Sequence, residues 1–223
     1  MIARRLAVVL FGTLLLAVSC GSGEDTATSG DEPAPTSSAP GPGADPTPST
    51  AVPTTTTTTT IPTSVSGDPL PPLADSGVDE AGGLPAPTAE GTDILTGEVV
   101  TIAPTGRPMA VAFFAHWCPH CQREVAEITE WLETNALPEG VDLIAVSTLE
   151  DSSRDNHPPA DWLAGEGWTF PVIADTPDFR VATSYGVSAV PFWAFLDAEG
   201  RVLARVAGNL GPESLELLFQ DIG

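Results

Sequence analysis

The sequence contains no lysine, and its eight basic residues are all arginine. None of them lies between Gly21 and Gly106, and the formal net charge of the chain is −22. A chain with so little positive charge does not attract polyanions by electrostatics. These absences argue against nucleic acid or an anionic membrane surface as an electrostatic partner.

The sequence also lacks an apolar run long enough to cross a bilayer as a stable helix. The apolar run at residues 6–18 follows Arg4 and Arg5 and has the length of a signal-peptide core. We therefore predict a signal peptide over residues 1–19 and an exported protein.

Cysteine is scarce, with Cys20, Cys118 and Cys121 as its three occurrences. The tetrapeptide Ala17-Val18-Ser19-Cys20 resembles the lipobox of bacterial lipoproteins, in which the cysteine becomes the lipidated N-terminus after cleavage. Plain secretion and a retained helical anchor are the alternatives. Lipidation of Cys20 is favoured because it leaves Cys118 and Cys121 as one pair, with no odd thiol in an exported protein.

Bulky apolar residues are sparse in residues 20–90, which are rich in Pro, Thr, Ser, Gly and Ala. Such a composition buries too little apolar surface to offset the entropy of ordering, so we predict a disordered linker. The linker is either a tether that holds the domain away from the membrane or an inert spacer, and its Thr and Ser are candidates for O-glycosylation. Residues 91–223 are long enough to form one domain with its own core.

Apolar periodicity in residues 91–223 predicts alternating strands and helices. The continuous apolar run at 109–114 is typical of a strand buried on both faces. Residues 141–147 are predicted to form a second buried strand, and Pro119 suits the first turn of a helix. Further strands are predicted at residues 98–102, 192–196 and 201–207, and further helices at 161–165, 178–185 and 212–221. This order predicts an α/β fold with a mixed central sheet flanked by helices.

The motif Cys118-Pro119-His120-Cys121 lies between a predicted buried strand and a helix N-terminus, where a C-x-x-C pair is typical of redox chemistry. Unpaired N–H groups and the helix dipole favour a thiolate at such a position. We expect Cys118 to be the exposed nucleophile and Cys121 to be the shielded thiol that resolves the mixed disulfide. The carboxylates that follow are predicted to be solvated: Glu124, Glu127, Glu130 and Glu133.

With this motif in place, residues 92–223 resemble the thioredoxin superfamily, and within it the exported, membrane-anchored TlpA/ResA-like group. The segment Tyr185-Gly186-Val187-Ser188-Ala189-Val190-Pro191 matches the loop that ends in a cis-proline in that family. The resemblance implies a thioredoxin-like fold in which Pro191 lies against Cys118. It also implies that the Val190 backbone pairs with an extended substrate segment.

The Pro119-His120 dipeptide resembles that of the DsbA oxidants, in which the histidine stabilises the thiolate and makes the disulfide strongly oxidising. The resemblance implies this role for His120 and favours oxidation, whereas the TlpA-like body favours reduction; the prediction leans to oxidation. Thioredoxins and DsbA-type proteins carry a buried acid six residues before the first cysteine, and here that position is Ala112. We therefore expect slow attack by Cys121 and long-lived mixed disulfides.

The sequence thus predicts an extracytoplasmic thiol-disulfide oxidoreductase, lipid-anchored to the cell membrane and without a cofactor. Its expected partners are exported proteins with thiols or disulfides and a membrane redox protein that restores its redox state. We expect a monomer. Trp117 is predicted to form a wall of the active site, with simple packing as the alternative.

Two other functions are compatible with the cysteine pair. A copper-binding module would use Cys118, Cys121 and one histidine, because soft thiolates select copper(I). A redox-inactive disulfide that only staples the helix would gain little stability, because the loop that it closes is short.

Overall fold

The computed structural model describes residues 60–223, which lie within one compact unit. The predicted signal peptide at residues 1–19, the predicted lipidation site Cys20 and most of the predicted linker lie outside the described residues. Among the helices that are described, none has the length and apolar character needed to span a bilayer.

Strands and helices alternate through most of the described chain. The strands are β1 (Ser64–Ser66), β2 (Thr88–Thr92), β3 (Val99–Ile102), β4 (Met109–Phe114), β5 (Asp142–Ser147), β6 (Val172–Ala174), β7 (Phe192–Leu196) and β8 (Val202–Ala207). The helices are α1 (Pro119–Leu132), α2 (Pro159–Gly165), α3 (Arg180–Ser184) and α4 (Gly211–Ile222).

The central sheet has five strands in the order β6-β5-β4-β7-β8. Strands β4, β5 and β6 run parallel, whereas β7 and β8 add to the β4 side in antiparallel register. Strand β4 is buried over its whole length, as its continuous apolar run predicts. The sheet is therefore mixed, and β4 at its centre leads directly into the C-x-x-C motif.

Side chains alternate between two cores because successive strand residues point to opposite faces. Ala110, Ala112 and Phe114 belong to one core, which also contains buried residues of α1, α2 and α4. Val111 and Phe113 belong to the other, which contains residues of α3, β2 and β3. The central sheet is thus covered by helices on one face and by α3 with a small antiparallel sheet, β1-β2-β3, on the other.

The ordered fold begins earlier than the boundary predicted at residue 91. Within the range predicted as linker, Leu70, Ala81 and Ala89 are buried, and β1 pairs with β2. The Thr63 hydroxyl also donates a hydrogen bond of 2.6 Å to the Ala174 carbonyl of β6. Few apolar residues suffice here because the central sheet supplies the surface against which they pack.

Candidate active site

The C-x-x-C motif lies at the carboxyl end of β4, where the parallel strands β4 and β5 both end. Open α/β sheets form their sites at this edge. Cys118 is the N-cap of α1, and Pro119 occupies the first helical turn, where its missing N–H removes no helix hydrogen bond. The motif therefore places the Cys118 thiol at the N-terminal end of the helix dipole.

Cys118 is less accessible than the sequence suggested. The residue is 7% exposed, and its Sγ lies 3.7 Å from the carbonyl oxygen of Val190. The Val190–Pro191 peptide bond is cis. The loop that ends at Pro191 covers the thiol and leaves only a small part of it in contact with solvent, which corrects the expectation of an exposed nucleophile.

Cys121 is fully buried, as expected of the second cysteine. Its sulfur accepts a hydrogen bond of 3.4 Å from the Ala115 N–H. Burial is the main cause that raises the pKa of the Cys121 thiol well above its ordinary value, and the neighbouring Cys118 and Glu124 raise it further. The two thiols therefore differ in environment: one borders solvent and the other is enclosed.

Glu124 is the residue that the sequence prediction placed wrongly. It was expected to be solvated with the other glutamates of α1, but it is fully buried. Its carboxylate accepts hydrogen bonds from the Trp193 indole N–H at 3.0 Å, the Leu210 N–H at 3.0 Å and the Asn209 side chain at 2.8 Å. These donors compensate the cost of burying the carboxylate.

A signal for this burial exists in the sequence. Cys121, Glu124, Val125 and Ile128 follow the spacing of one helix face, and all four are buried. Ala112 occupies the strand position at which thioredoxins and DsbA-type proteins carry an acid, and it is also buried. Helix α1 thus brings a carboxylate close to the second cysteine, although the strand does not.

Trp117 and a loop at residues 149–157 form one side of the site. The Trp117 indole N–H donates a hydrogen bond of 2.7 Å to the Leu149 carbonyl, and the Arg154 guanidinium lies 4.7 Å from the centre of the Trp117 ring. Trp117 is half-buried. These contacts join Trp117 to the loop at residues 149–157.

His116 binds the backbone of the same loop. Its ring is fully buried, with Nδ1 at 2.7 Å from the Asp155 carbonyl and Nε2 accepting a hydrogen bond of 3.2 Å from the Asp151 N–H. Both ring nitrogens are therefore engaged by backbone groups. The sequence offered no clear signal for this role, because the partners lie more than thirty residues away.

His120, between the two cysteines, lies at the surface. Its Nδ1 is 2.6 Å from Nη2 of Arg123, so the first turns of α1 carry a permanent positive charge next to the histidine. Within residues 60–223, no three His, Cys, Asp or Glu side chains are grouped so that they could hold a metal ion. The third ligand that a copper module would take from His116 or His120 is thus not brought to the thiols.

Comparison with known proteins finds one matching family model and several relatives. The model of the AhpC/TSA family matches residues 83–205. The thiol-disulfide oxidoreductase ResA of Geobacillus thermodenitrificans is 26% identical over 117 residues, which cover 52% of this chain and 64% of that protein. The thiol:disulfide interchange protein DsbE homolog of Paracoccus denitrificans is 37% identical over 104 residues, covering 46% of this chain and 52% of that protein.

The chain thus spans between 52% and 64% of the length of these two relatives. Among solved structures, a thiol:disulfide interchange protein of the thioredoxin family from Chlorobium tepidum superposes with a TM-score of 0.52 at 23% identity. The match covers 67% of this chain and 99% of that chain. This similarity confirms the predicted thioredoxin-like α/β fold.

Proposed function

Because the chain belongs to the AhpC/TSA family, we propose that it is an extracytoplasmic thiol-disulfide oxidoreductase that acts through Cys118 and Cys121. One observation carries the proposal: the Cys118 sulfur, at a helix N-terminus, lies 3.7 Å from the Val190 carbonyl while Cys121 is enclosed behind it. The proposed site thus contains a nucleophilic thiol, a second thiol that resolves the mixed disulfide, and a backbone segment with which a client polypeptide can pair.

The exchange needs two displacement steps. In the reductive direction, the Cys118 thiolate attacks a client disulfide, the client S–S bond breaks, and one client sulfur leaves as a thiolate that takes up a proton. The Cys121 thiolate then attacks the Cys118 sulfur, which forms the Cys118–Cys121 disulfide and releases the second client thiolate. Oxidation of a client dithiol runs through the same steps in reverse.

Burial assigns the two cysteines to different steps. The raised pKa of Cys121 keeps it a thiol until the mixed disulfide has formed, so it does not compete with Cys118 for the client. Its proton must leave before it attacks, and Glu124 is the buried carboxylate near it. We assign to Glu124 the role of proton acceptor in the resolving step, because Ala112 stands where thioredoxins and DsbA-type proteins carry a strand acid.

The surface around Cys118 suits an extended polypeptide. The Val190 backbone borders the thiol, and a cavity of about 250 Å³ beside it is lined by Leu149, Phe179 and Val187. Backbone groups of a client can pair with the loop, and an apolar client side chain can enter the cavity. The proposed clients are therefore exported proteins with thiols or disulfides, and a membrane redox protein would restore the enzyme.

The N-terminal residues supply the location in this proposal. Residues 1–19 would export the chain, Cys20 would carry lipid on the extracytoplasmic face of the membrane, and the Pro/Thr/Ser-rich linker would hold the catalytic domain away from it. The catalytic domain itself is proposed to act as a monomer.

The direction of exchange is proposed to be oxidation, supported by His120 between the cysteines. Equilibration of the full chain with glutathione buffers, scored by the mass shift on alkylation, tests this. A potential of about −120 to −180 mV supports an oxidant, and about −270 mV or lower would mark a reductant. If Cys118 and Cys121 do not cycle at all, the proposed activity is wrong.

A further inference from the structure

The loop of residues 185–191, which we call the client loop, is held at its start by a distant segment of the chain. The Leu70 N–H donates a hydrogen bond of 2.8 Å to the Ser184 carbonyl, and the Leu73 N–H donates one of 3.1 Å to the Gly186 carbonyl. We call residues 70–79 the strap. These carbonyls lie at the end of the short helix α3, where intrahelical partners are missing.

Arg205 of β8 completes this arrangement. Its Nη1 donates to the Tyr185 carbonyl at 2.7 Å and to the Pro71 carbonyl at 2.9 Å. Its Nε donates to the Asp79 carboxylate at 3.0 Å, and its Nη2 contacts the second oxygen of the same carboxylate. One guanidinium therefore joins the client loop to both ends of the strap.

The Arg205 side chain is buried at the centre of these contacts. Its side chain has no exposed surface, whereas that of Asp79 is 21% exposed. A buried guanidinium is tolerated only when its donors are paired, and its planar fork matches a carboxylate in a way that lysine cannot. At Gly186, where φ is +68°, an added Cβ would lie 2.4 Å from the Pro71 carbonyl oxygen, so the strap and the client loop are in direct contact.

Strand β8 and the residue that follows it hold the client loop at both of its ends. The Arg205 side chain binds Tyr185 at the start, and the Gly208 N–H donates a hydrogen bond of 2.8 Å to the Pro191 carbonyl at the end. Between these two points lies Val190, whose carbonyl faces the Cys118 sulfur. Tyr185 is five positions before Val190 in the chain. A shift of Tyr185 should therefore displace the Val190 backbone beside the Cys118 sulfur.

We propose that Arg205 is a positioning residue for client binding: together with Asp79 it fixes the client loop so that the Val190 backbone is presented to an extended polypeptide. The inference rests on the proposed function, because it concerns the polypeptide that the same site would bind. It adds that the strap forms part of the substrate-recognition apparatus although it does not touch the client.

The test compares a polypeptide with a small thiol as electron donor. The full chain, oxidised at Cys118–Cys121, is reacted with an unstructured peptide dithiol and, separately, with dithiothreitol, which needs no backbone pairing. In the Arg205→Met variant we expect the second-order rate constant for the peptide to fall about tenfold or more, since small misplacements have effects of that size. The rate with dithiothreitol should stay within about twofold, because the thiols themselves are not displaced.

Two further variants make the result specific. Arg205→Lys keeps the charge but not the fork, and Asp79→Asn weakens the pair while leaving both bonds to carbonyls; each should show a smaller loss in the same direction. Arg201→Met is the matched control, because the exposed Arg201 binds the Gly83 carbonyl at 3.1 Å and does not contact the client loop. It should leave both rates unchanged.

The outcomes distinguish failure of the proposed function from failure of the positioning role of Arg205. If the wild type reacts with neither donor, the proposed function is wrong, and this inference falls with it. If the wild type reacts with both, and the Arg205 and Asp79 variants lose both rates equally or neither, Arg205 has no positioning role. Should Arg205→Met fail to fold, the ratio of the two rates in Asp79→Asn decides in the same way.

Discussion

The sulfur of Cys118 lies 3.7 Å from the carbonyl oxygen of Val190, although the two residues are separated by 72 positions in the chain. This contact joins the helix N-terminus that would activate the thiol to the loop that would bind the client backbone. Cys121 is buried on the same helix, and the proposed mechanism assigns it the second step. The contact thus unites the two halves of the proposed active site.

Replacing Glu124 by Gln removes a negative charge beside Cys121. Burial dominates the raised pKa of Cys121, but Glu124 adds to it, so the variant should have a lower Cys121 pKa. The resolving step should nevertheless slow, by about tenfold or more, because the proton acceptor is lost. Thiolate absorbance against pH measures the first effect, and the decay of a preformed mixed disulfide measures the second.

Glu130→Gln is the control for that experiment, because Glu130 is an exposed carboxylate on the same helix. It should change neither quantity. Equal behaviour of the Glu124 and Glu130 variants would show that the buried carboxylate has no part in proton transfer.

His120→Ala should make the protein a weaker oxidant. By resemblance, the histidine between the cysteines stabilises the reduced form, so its loss lowers the reduction potential. We expect a shift of about 30 mV or more to negative values, equivalent to about 1.4 kcal/mol. Glutathione titration measures the shift, with Glu130→Gln, at an exposed position later in α1, as the control. An unchanged or higher potential in His120→Ala would remove the argument for oxidation.

The ion pair between Asp79 and Arg205 predicts a pH dependence of stability. The hydrogen bond from Arg205 is the main cause that holds the pKa of Asp79 below its ordinary value of 3.8. A lowered folded-state pKa means that the pair stabilises the fold above pH 3.8 and that this contribution is lost as the pH falls through the folded pKa. Asp79→Asn should therefore destabilise the protein by about 2–5 kcal/mol near neutral pH.

Thermal unfolding of the wild type and Asp79→Asn across pH checks this dependence. The difference in Tm should be constant near neutrality and should shrink in acid below the ordinary Asp pKa. Asp142→Asn serves as control, since its pair with Arg107 is at the surface and such pairs contribute about 0–1 kcal/mol. A Tm difference for Asp79→Asn that persists in strong acid would mean that the charge of Asp79 is irrelevant.

Truncation tests where the folded domain begins. A chain that starts at Gly91 loses Leu70, Ala81 and Ala89 from the core and leaves buried Arg205 without Asp79. We expect it to unfold at much lower denaturant concentration than a chain that starts at Thr60, or not to fold cooperatively. Urea denaturation followed by tryptophan fluorescence compares the two. Equal midpoints would show that residues 60–90 contribute nothing to stability.

The strongest sequence patterns predicted the structure well. The continuous apolar run of β4 and the helical spacing in α1 gave these elements almost to the residue, because strong periodicity reports burial directly. The family resemblance carried by the C-x-x-C motif and the Tyr185–Pro191 segment also placed Cys118 beside the loop that ends at Pro191, as in the structure. A local sequence pattern predicts an element correctly where local preference and tertiary packing favour the same structure.

The missed features depend on distant partners. Strands β1 and β2 lie in a stretch whose composition suggests disorder, and they are ordered by packing on the central sheet. Strand β6 has three residues, too few for a periodicity to be visible. The burial of Arg205 follows from a carboxylate 126 positions away, which no local pattern reveals.

The most direct test of the account is the fate of mixed disulfides in single-cysteine variants. In Cys121→Ser, Cys118 can attack a client disulfide but nothing resolves the product, so a covalent complex should accumulate and be seen by mass spectrometry under non-reducing conditions. In Cys118→Ser, the buried Cys121 thiol with its raised pKa should form almost none. Accumulation through Cys118 alone is the predicted result; equal trapping by both variants, or by neither, would contradict the assignment of nucleophile and resolving thiol.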